Sequence, residues 1–260
     1  MRIFNCLKEV PHRDTRYQIT AEETGIVETD LTFEISECDE YSLEEALKLK
    51  EKHDGEVTIL TVGRERSERS IRKGLSMGAD RAILVADNES KASNPHAVAL
   101  VLSEILRSEQ YDLLLLGTHS DDFNYGQTGV ILAELLGLPH ATIVMEIQVD
   151  VNNQTVRAMR EMENGWFEWV EMSMPAVLTI QAGISKVRYP SLRGIMQAKK
   201  KEIKKIDLSS LELNLESVPQ LEISKLYFPE SVSSAEILKG DSSAVVAELV
   251  ERLKKEAKVL

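Results

Sequence analysis

Up to about residue 145 the chain alternates short apolar runs with amphipathic stretches, the pattern of a parallel sheet covered by helices. A first strand is expected near Ile3 to Val10. A helix is expected from Ser42, because Ser42 and Glu45 have capping-box spacing ahead of Ala46, Leu47 and Leu49. Val57 to Val62 reads as a strand ended by Gly63, and Ile71 and Leu75 mark the inner face of a helix that Gly78 can terminate. Ala82 to Val85 is a further strand. Asn94 caps a helix with Pro95 in its first turn and an apolar stripe of Val98, Val101, Leu102, Ile105 and Leu106. Leu113 to Leu116 is uninterrupted, as expected of a central parallel strand buried on both faces, and it stops at Gly117.

Beyond Ala141 the apolar period changes to two. Asn164-Gly165 is a type I′ hairpin signal between Val156 to Met162 and Trp166 to Met174, so an antiparallel hairpin should extend the sheet. Pro175 separates it from a run at Ala176 to Ile180, and past Gly183 no strand–helix alternation is expected to resume. Residues from about Ile206 to Asp241 are polar and punctuated by Pro219 and Pro229. Then Val245, Val246, Leu249, Val250 and Leu253 form the stripe of a short helix, which must be buried on a partner subunit or by folding back. The fold class is α/β, a mostly parallel, Rossmann-like sheet with helices on both faces, an antiparallel hairpin extension and a C-terminal arm. The expected divisions are 1–185, 186–206 and 207–260.

A chain of 260 residues, 43% hydrophobic, can build one large domain with an appendage. Its net charge of −12 argues against nucleic-acid binding, which makes the lysines between Lys199 and Lys205 a local basic patch. The two cysteines, Cys6 and Cys38, have no CxxC or CxxH neighbour, so neither a disulfide scaffold nor zinc is indicated, and a reducing cytoplasm fits. No run suits a signal peptide or a membrane span. His12, His53, His96, His119 and His140 lack ligand spacing, and Ser120 lacks the Gly-x-Ser-x-Gly elbow of a hydrolase. Trp166 and Trp169 suit packing on a sheet or subunit interface better than cofactor stacking.

Candidate chemistry concentrates in Gly117-Thr118-His119-Ser120-Asp121-Asp122-Phe123-Asn124-Tyr125-Gly126-Gln127-Thr128-Gly129, which leads from the buried strand into a helix ending near Gly137. Open α/β sheets bind ligands at that position. Gly126 and Gly129 permit close backbone approach, while Thr128 and the free amides of the helix start suit a nucleotide phosphate. Asp121 and Asp122 would repel phosphate, and read as structural or ribose-binding residues. By itself Gly-Gln-Thr-Gly, without a Walker lysine, is a weak motif.

A second segment, Val187 to Lys201, joins a loop displaying Tyr189, Pro190 and Leu192 to a cationic helix start with Ile195, Met196, Lys199, Lys200 and Lys201. It suits docking to an acidic partner with an apolar socket, or is simply a solvated surface helix beginning near Leu192. The sequence Arg188-Tyr189-Pro190-Ser191-Leu192-Arg193-Gly194-Ile195-Met196-Gln197-Ala198-Lys199-Lys200-Lys201 resembles the signature loop of the beta subunit of electron-transfer flavoproteins. Gly117, Asp121, Asp122, Gln127, Thr128 and Gly129 match that family's nucleotide loop. Further similar stretches are Lys8 to Pro11, Leu43 to Glu51, Gly78 to Ala82 and Met174 to Thr179, so the likeness spans nearly the whole chain.

The resemblance implies an electron carrier rather than an enzyme. It implies a heterodimer in which an alpha subunit holds most of a redox FAD while this chain buries a structural AMP and its 207–260 arm docks on the alpha subunit. AMP contacts are implied at Cys6, at Ser36, Glu37, Cys38 and Asp39, at Val62, and at Gly117, Thr118, His119, Ser120, Asp121, Asp122, Asn124, Gly126, Gln127 and Thr128. Leu192 becomes the anchor entering a flavin dehydrogenase, an acyl-CoA dehydrogenase by preference, with electrons passing on to a quinone-linked oxidoreductase. His12 to Tyr17 corresponds to a segment approaching the flavin. Ser36-Glu37-Cys38-Asp39-Glu40 departs from the family's Asn-Pro-Phe-Asp-like wording. The competing readings are a bifurcating relative with a second FAD in this subunit, and a free-standing nucleotide-binding module of the universal-stress type.

Overall fold

Strand Arg2–Cys6 (β1) carries its side chains alternately to two sides, Ile3 into one apolar cluster and Phe4 into another, and this alternation organises the molecule. The computed structural model describes residues 1–218, 221–229 and 235–260. After β1 come Glu9–Pro11 (β2) and Phe33–Ile35 (β3), which pair with each other as a small antiparallel sheet. The single strand expected from Ile3 to Val10 is therefore broken at Leu7 and Lys8, where the chain leaves the main sheet. Next are Glu37–His53 (α1), Glu56–Gly63 (β4), Glu68–Met77 (α2), Arg81–Ala86 (β5), Pro95–Arg107 (α3), Leu113–Gly117 (β6) and Thr128–Leu136 (α4). They are followed by His140–Asp150 (β7), Thr155–Glu161 (β8), Phe167–Ser173 (β9), Ala176–Ile180 (β10), Leu192–Ala198 (α5), Ile203–Asp207 (β11) and Ser242–Lys255 (α6).

The main sheet has nine strands in the order β11-β5-β4-β1-β6-β10-β7-β8-β9, parallel from β11 through β7 and antiparallel across β7-β8-β9. Leu113 and Leu115 face the cluster that includes α1 and α2, whereas Leu114 and Leu116 face the one built with α3 and α4. The all-apolar run is thus a strand covered on both sides. Sequential order runs from β1 out through β4 to β5, then returns to β6 on the other side of β1, so the topological switch lies between β1 and β6.

Local signals hold where capping is local. Asn94 accepts from Ala97 N–H at 2.9 Å ahead of Pro95, and Gly78 closes α2 with φ of 140°. Asn164 and Gly165 both have positive φ, and Trp166 N–H closes the turn onto the Glu163 carbonyl, as type I′ geometry requires. Helix α1 begins at Glu37 rather than Ser42, and Ser42 is instead buried mid-helix, accepting from Asn5 Nδ2 at 2.6 Å. Its start is capped from a distance: Asp121 accepts from Glu37 N–H at 2.8 Å while Asp121 N–H donates to Ser36 Oγ at 3.3 Å. That exchange resembles a capping box made across the fold.

Strand–helix alternation does resume past Gly183, through α5 and β11. β11 is an edge strand beside β5, with Ile203 and Ile206 half-buried and Lys204 and Lys205 exposed, the lysine-bearing edge that discourages further pairing. Most of the chain, 1–18 and 27–222, makes one unit; residues 19–26 and 223–260 make a second. Within the second, Ile19 bridges Ile26, Leu226 N–H donates to the Glu23 carbonyl, and α6 is capped by Asp241 at Ser243 N–H. No residue of α6 is buried, and its stripe leaves Val246, Leu249 and Val250 exposed. Pro219, one of the two prolines expected to punctuate the tail, lies outside the described residues.

Candidate functional site

The carboxyl ends of β1, β4 and β6 open on a cleft of about 440 Å³ at the topological switch. Ten of the implied nucleotide contacts line it: Cys6, Asp39, Val62, Gly117, Thr118, His119, Ser120, Gly126, Gln127 and Thr128. Ser36, Glu37, Cys38, Asp121, Asp122 and Asn124 do not, and most of them make bonds within the chain instead.

Asp121 and Ser36 cap α1 as described. Asp122 accepts from Lys8 Nζ at 2.7 Å, from Ser120 Oγ at 2.6 Å and from Phe123 N–H at 2.8 Å. Both loop carboxylates are therefore taken up by internal donors, which lowers the repulsion an incoming phosphate would meet. Asn124 holds a left-handed turn at φ of 53° and donates its N–H to the Ser120 carbonyl. Cys38 is buried with Sγ 3.9 Å from His119 Nε2, and burial pushes its thiol pKa up; burial does the same to Cys6. Neither thiol is primed as a nucleophile.

Asp39 sits at the floor, accepting Lys8 N–H at 2.8 Å and Gly117 N–H at 2.7 Å. Burial raises its carboxyl to about 7 even against those two amide bonds. Gly117 is required here: a Cβ on it would stand 2.6 Å from Asp39 Oδ1 and 2.8 Å from Asp39 N. Gly129 serves packing rather than ligand approach, since its Cβ would meet Thr179 Cγ2 at 2.4 Å where α4 lies on β10. Gly126, at φ of 63°, is the glycine whose backbone form matters to the loop.

Helix α4 opens on the cleft with no side-chain cap at Gln127, leaving its first amides available together with the positive end of the helix dipole. Val62, Val98, Leu102 and Leu116 give the same cleft an apolar lining. Sequence reasoning missed Lys8, Arg64, Arg66, Asp87 and the start of α3, which also line the cleft, as do Glu9 and Glu28. Asp87 stitches its loop by accepting from Lys91 N–H and Ala92 N–H, and Arg66 pairs with Glu9 and Glu28. Gly63-Arg64 after the buried β4 repeats the strand-then-glycine signal that marked Gly117, and the same switch-point rule would have found it. Phe123 and Tyr125 stack at 5.5 Å with Lys8 Nζ 4.9 Å from the Phe123 centroid, at the rim. The donor set fits a nucleoside phosphate: main-chain amides for the anion, an apolar wall for a base, polar side chains at the rim. Among the described residues no cluster of His, Cys, Asp and Glu could hold a metal ion.

Apart from the cleft, Tyr189, Leu192 and Met196 are 91%, 83% and 71% exposed, and Ile195 is also exposed. The lysines do not open a helix as expected but follow one, since α5 ends at Ala198. Lys199 and Lys200 face solvent, whereas Lys201 turns inward and donates to the Leu75 and Ala79 carbonyls, its pKa lowered by burial. Lys205 pairs with Glu68 at 2.9 Å. The basic patch is thinner than its composition implies.

Residues 24–211 match the family described as electron transfer flavoprotein domain. The chain is 34% identical to the electron transfer flavoprotein subunit beta of Methylophilus methylotrophus over 257 residues, 96% of this chain and 97% of that one. It is 34% identical to the Bacillus subtilis subunit beta over 262 residues, 100% of both. Identity to the mitochondrial subunit beta of Arabidopsis thaliana is 31% over 261 residues, again 100% of both.

Proposed function

Since this chain belongs to the electron transfer flavoprotein family as a beta subunit, we propose that it carries electrons from an acyl-CoA-type flavin dehydrogenase to a quinone-linked acceptor, with AMP held structurally in its cleft. Membership brings a flavin and an alpha subunit with it, and sets aside the free-standing stress-type module. No helix among the described residues is long and apolar enough to cross a membrane.

One observation carries the AMP reading: the uncapped first turn of α4 and the apolar residues Val62, Val98, Leu102 and Leu116 line one cleft, while Asp121 and Asp122 are bonded within the chain. The amides from Gly126 to Gly129 would hold the phosphate, Val62 and Leu102 would flank the base, and Asp39 would keep the β1 and β6 ends together through Lys8 and Gly117. The flavin supplies the redox chemistry when bound. This chain's residues bind, shield and dock: the cleft anchors a nucleotide, and Leu192 enters the dehydrogenase. The exposed stripe of α6 is assigned to the alpha subunit.

Co-expression with the alpha subunit, followed by mass spectrometry of nucleotides released on denaturation, tests the reading. AMP and a single FAD per heterodimer are expected. Two FAD and no AMP would overturn the AMP assignment in favour of bifurcation.

A further inference from the structure

The exposed apolar segment from Tyr189 to Met196 is held at both flanks by half-buried arginines, Arg188 and Arg72. At its entry Arg188 donates from its backbone N–H and Nε to Glu44 Oε2 at 3.1 and 2.9 Å, and from Nη2 to Glu44 Oε1 at 3.0 Å. Its guanidinium also reaches Glu51 through Nη1 at 2.5 Å and Nη2 at 3.2 Å. Glu44 and Glu51 lie two turns apart on one face of α1, so both carboxylates meet a single planar fork. The Glu44 side chain is 4% exposed and has little water to turn to if the fork is lost.

At the exit Arg72 of α2 donates from Nη1 to the Ala198 and Lys201 carbonyls at 2.7 and 2.6 Å. Between the two flanks, a Cβ on Gly194 would stand 2.3 Å from the Ser76 carbonyl oxygen, so α5 rests on the end of α2 at a distance only glycine permits.

We propose that Arg188 is the positioning residue of the docking segment: its fork onto Glu44 and Glu51, with the Arg72 and Gly194 contacts, sets Tyr189 to Met196 in the partner-binding conformation before any partner arrives. This rests on the reading of that segment as the dehydrogenase-docking element. A preformed surface loses less conformational entropy on association. Lysine cannot replace the fork, because a point ammonium satisfies one carboxylate geometry rather than two.

The test uses the assembled heterodimer carrying Arg188→Lys, Arg188→Ala or Leu192→Ala. Hydrogen exchange across residues 189–196 is measured alongside steady-state reduction by an acyl-CoA dehydrogenase supplied with its acyl-CoA. In Arg188→Lys, exchange of those amides should quicken on the order of tenfold and KM for the heterodimer should rise roughly fivefold, with kcat retained. Arg188→Ala should go further; should it fail to assemble, the lysine variant carries the test. Leu192→Ala should raise KM without quickening exchange. Unchanged exchange in Arg188→Lys overturns the clamp whatever docks. Quickened exchange with KM moved by Leu192→Ala but not by Arg188→Lys overturns the positioning role. A Leu192→Ala heterodimer with wild-type KM instead sinks the docking reading itself, and the present inference with it, while exchange still reports whether the fork orders the loop.

Discussion

The cleft and the exposed segment from Tyr189 to Met196 present opposite kinds of group. The cleft offers main-chain amides and keeps its loop carboxylates internally bonded, whereas the segment presents Tyr189, Leu192 and Met196 to solvent and keeps most of its strong ion pairs on its inner side. A site made of backbone is sensitive to anything that shifts the backbone. A site made of projecting side chains is sensitive to their removal one at a time. Substitutions should therefore affect the two regions differently.

The largest effect is expected at Gly117. A Cβ there collides with Asp39 backbone and with Cys38 Cβ at 2.8 Å, neither of which can rotate away, so Gly117→Ala should destabilise by about 3 kcal/mol and strip the nucleotide. Denaturant unfolding and nucleotide content of the purified heterodimer read both. Gly126→Ala, with only the Thr118 carbonyl at 3.6 Å, should cost only about 1 kcal/mol, from its positive φ. Equal losses at the two glycines would show that the cleft is not governed by backbone approach.

Asp39 comes next. Its folded pKa, about 7, lies above its ordinary 3.8, so the native state binds the extra proton. The associated stability is complete below the ordinary carboxylate range and is lost as pH rises through about 7. Wild type should thus lose on the order of 1 to 3 kcal/mol of this contribution between pH 4 and 8. Asp39→Asn should flatten that part of the pH–stability curve, and a variant with the wild-type slope would place the titration elsewhere.

If the proposed docking role of the Tyr189 to Met196 segment holds, Leu192→Ala should weaken dehydrogenase binding by about 1 to 3 kcal/mol while leaving the heterodimer's nucleotide and flavin content intact. Wild-type dehydrogenase-coupled rates at limiting concentration would reduce Leu192 to an ordinary surface leucine. The smallest effect is expected at the rim: Lys199→Glu or Lys200→Glu should slow association about two- to threefold at low salt and little at high salt. A salt-independent change, or one as large as that of Leu192, would make the segment a charge-reading surface and erase the contrast with its apolar ridge.

Both regions were legible as places before they were legible as mechanisms. Gly117 to Gly129 follows a run of four leucines, and Arg188 to Lys201 pairs bulky apolar residues with lysines; each signal lies within a few residues. What those residues touch is not local. The sequence shows Asp121 and Asp122 as a problem for phosphate, and only the fold reveals that one caps α1 at Glu37 and the other binds Lys8. The same distance hid the start of α1, since its cap comes from another loop, while Ser42 and Glu45 offered a local pattern that burial against Asn5 overrode.

The sequence alone determined the elements whose boundaries are set by neighbours in the chain: the Asn94-Pro95 start of α3, the Gly78 stop of α2, the Asn164-Gly165 turn and the doubly buried strand β6. It also determined the family, because long matching stretches need no coordinates. Tertiary structure alone decided that β10 lies between β6 and β7, that the lysine-bearing stretch after α5 closes one sheet edge beside β5, and that Arg188 pairs with Glu44 and Glu51 of α1. The physical reason is range. Caps, turns and periodicity act within one or two turns of chain, whereas strand order and the pairing of Arg188 with Glu44, 144 residues away, depend on which surfaces the sheet brings together.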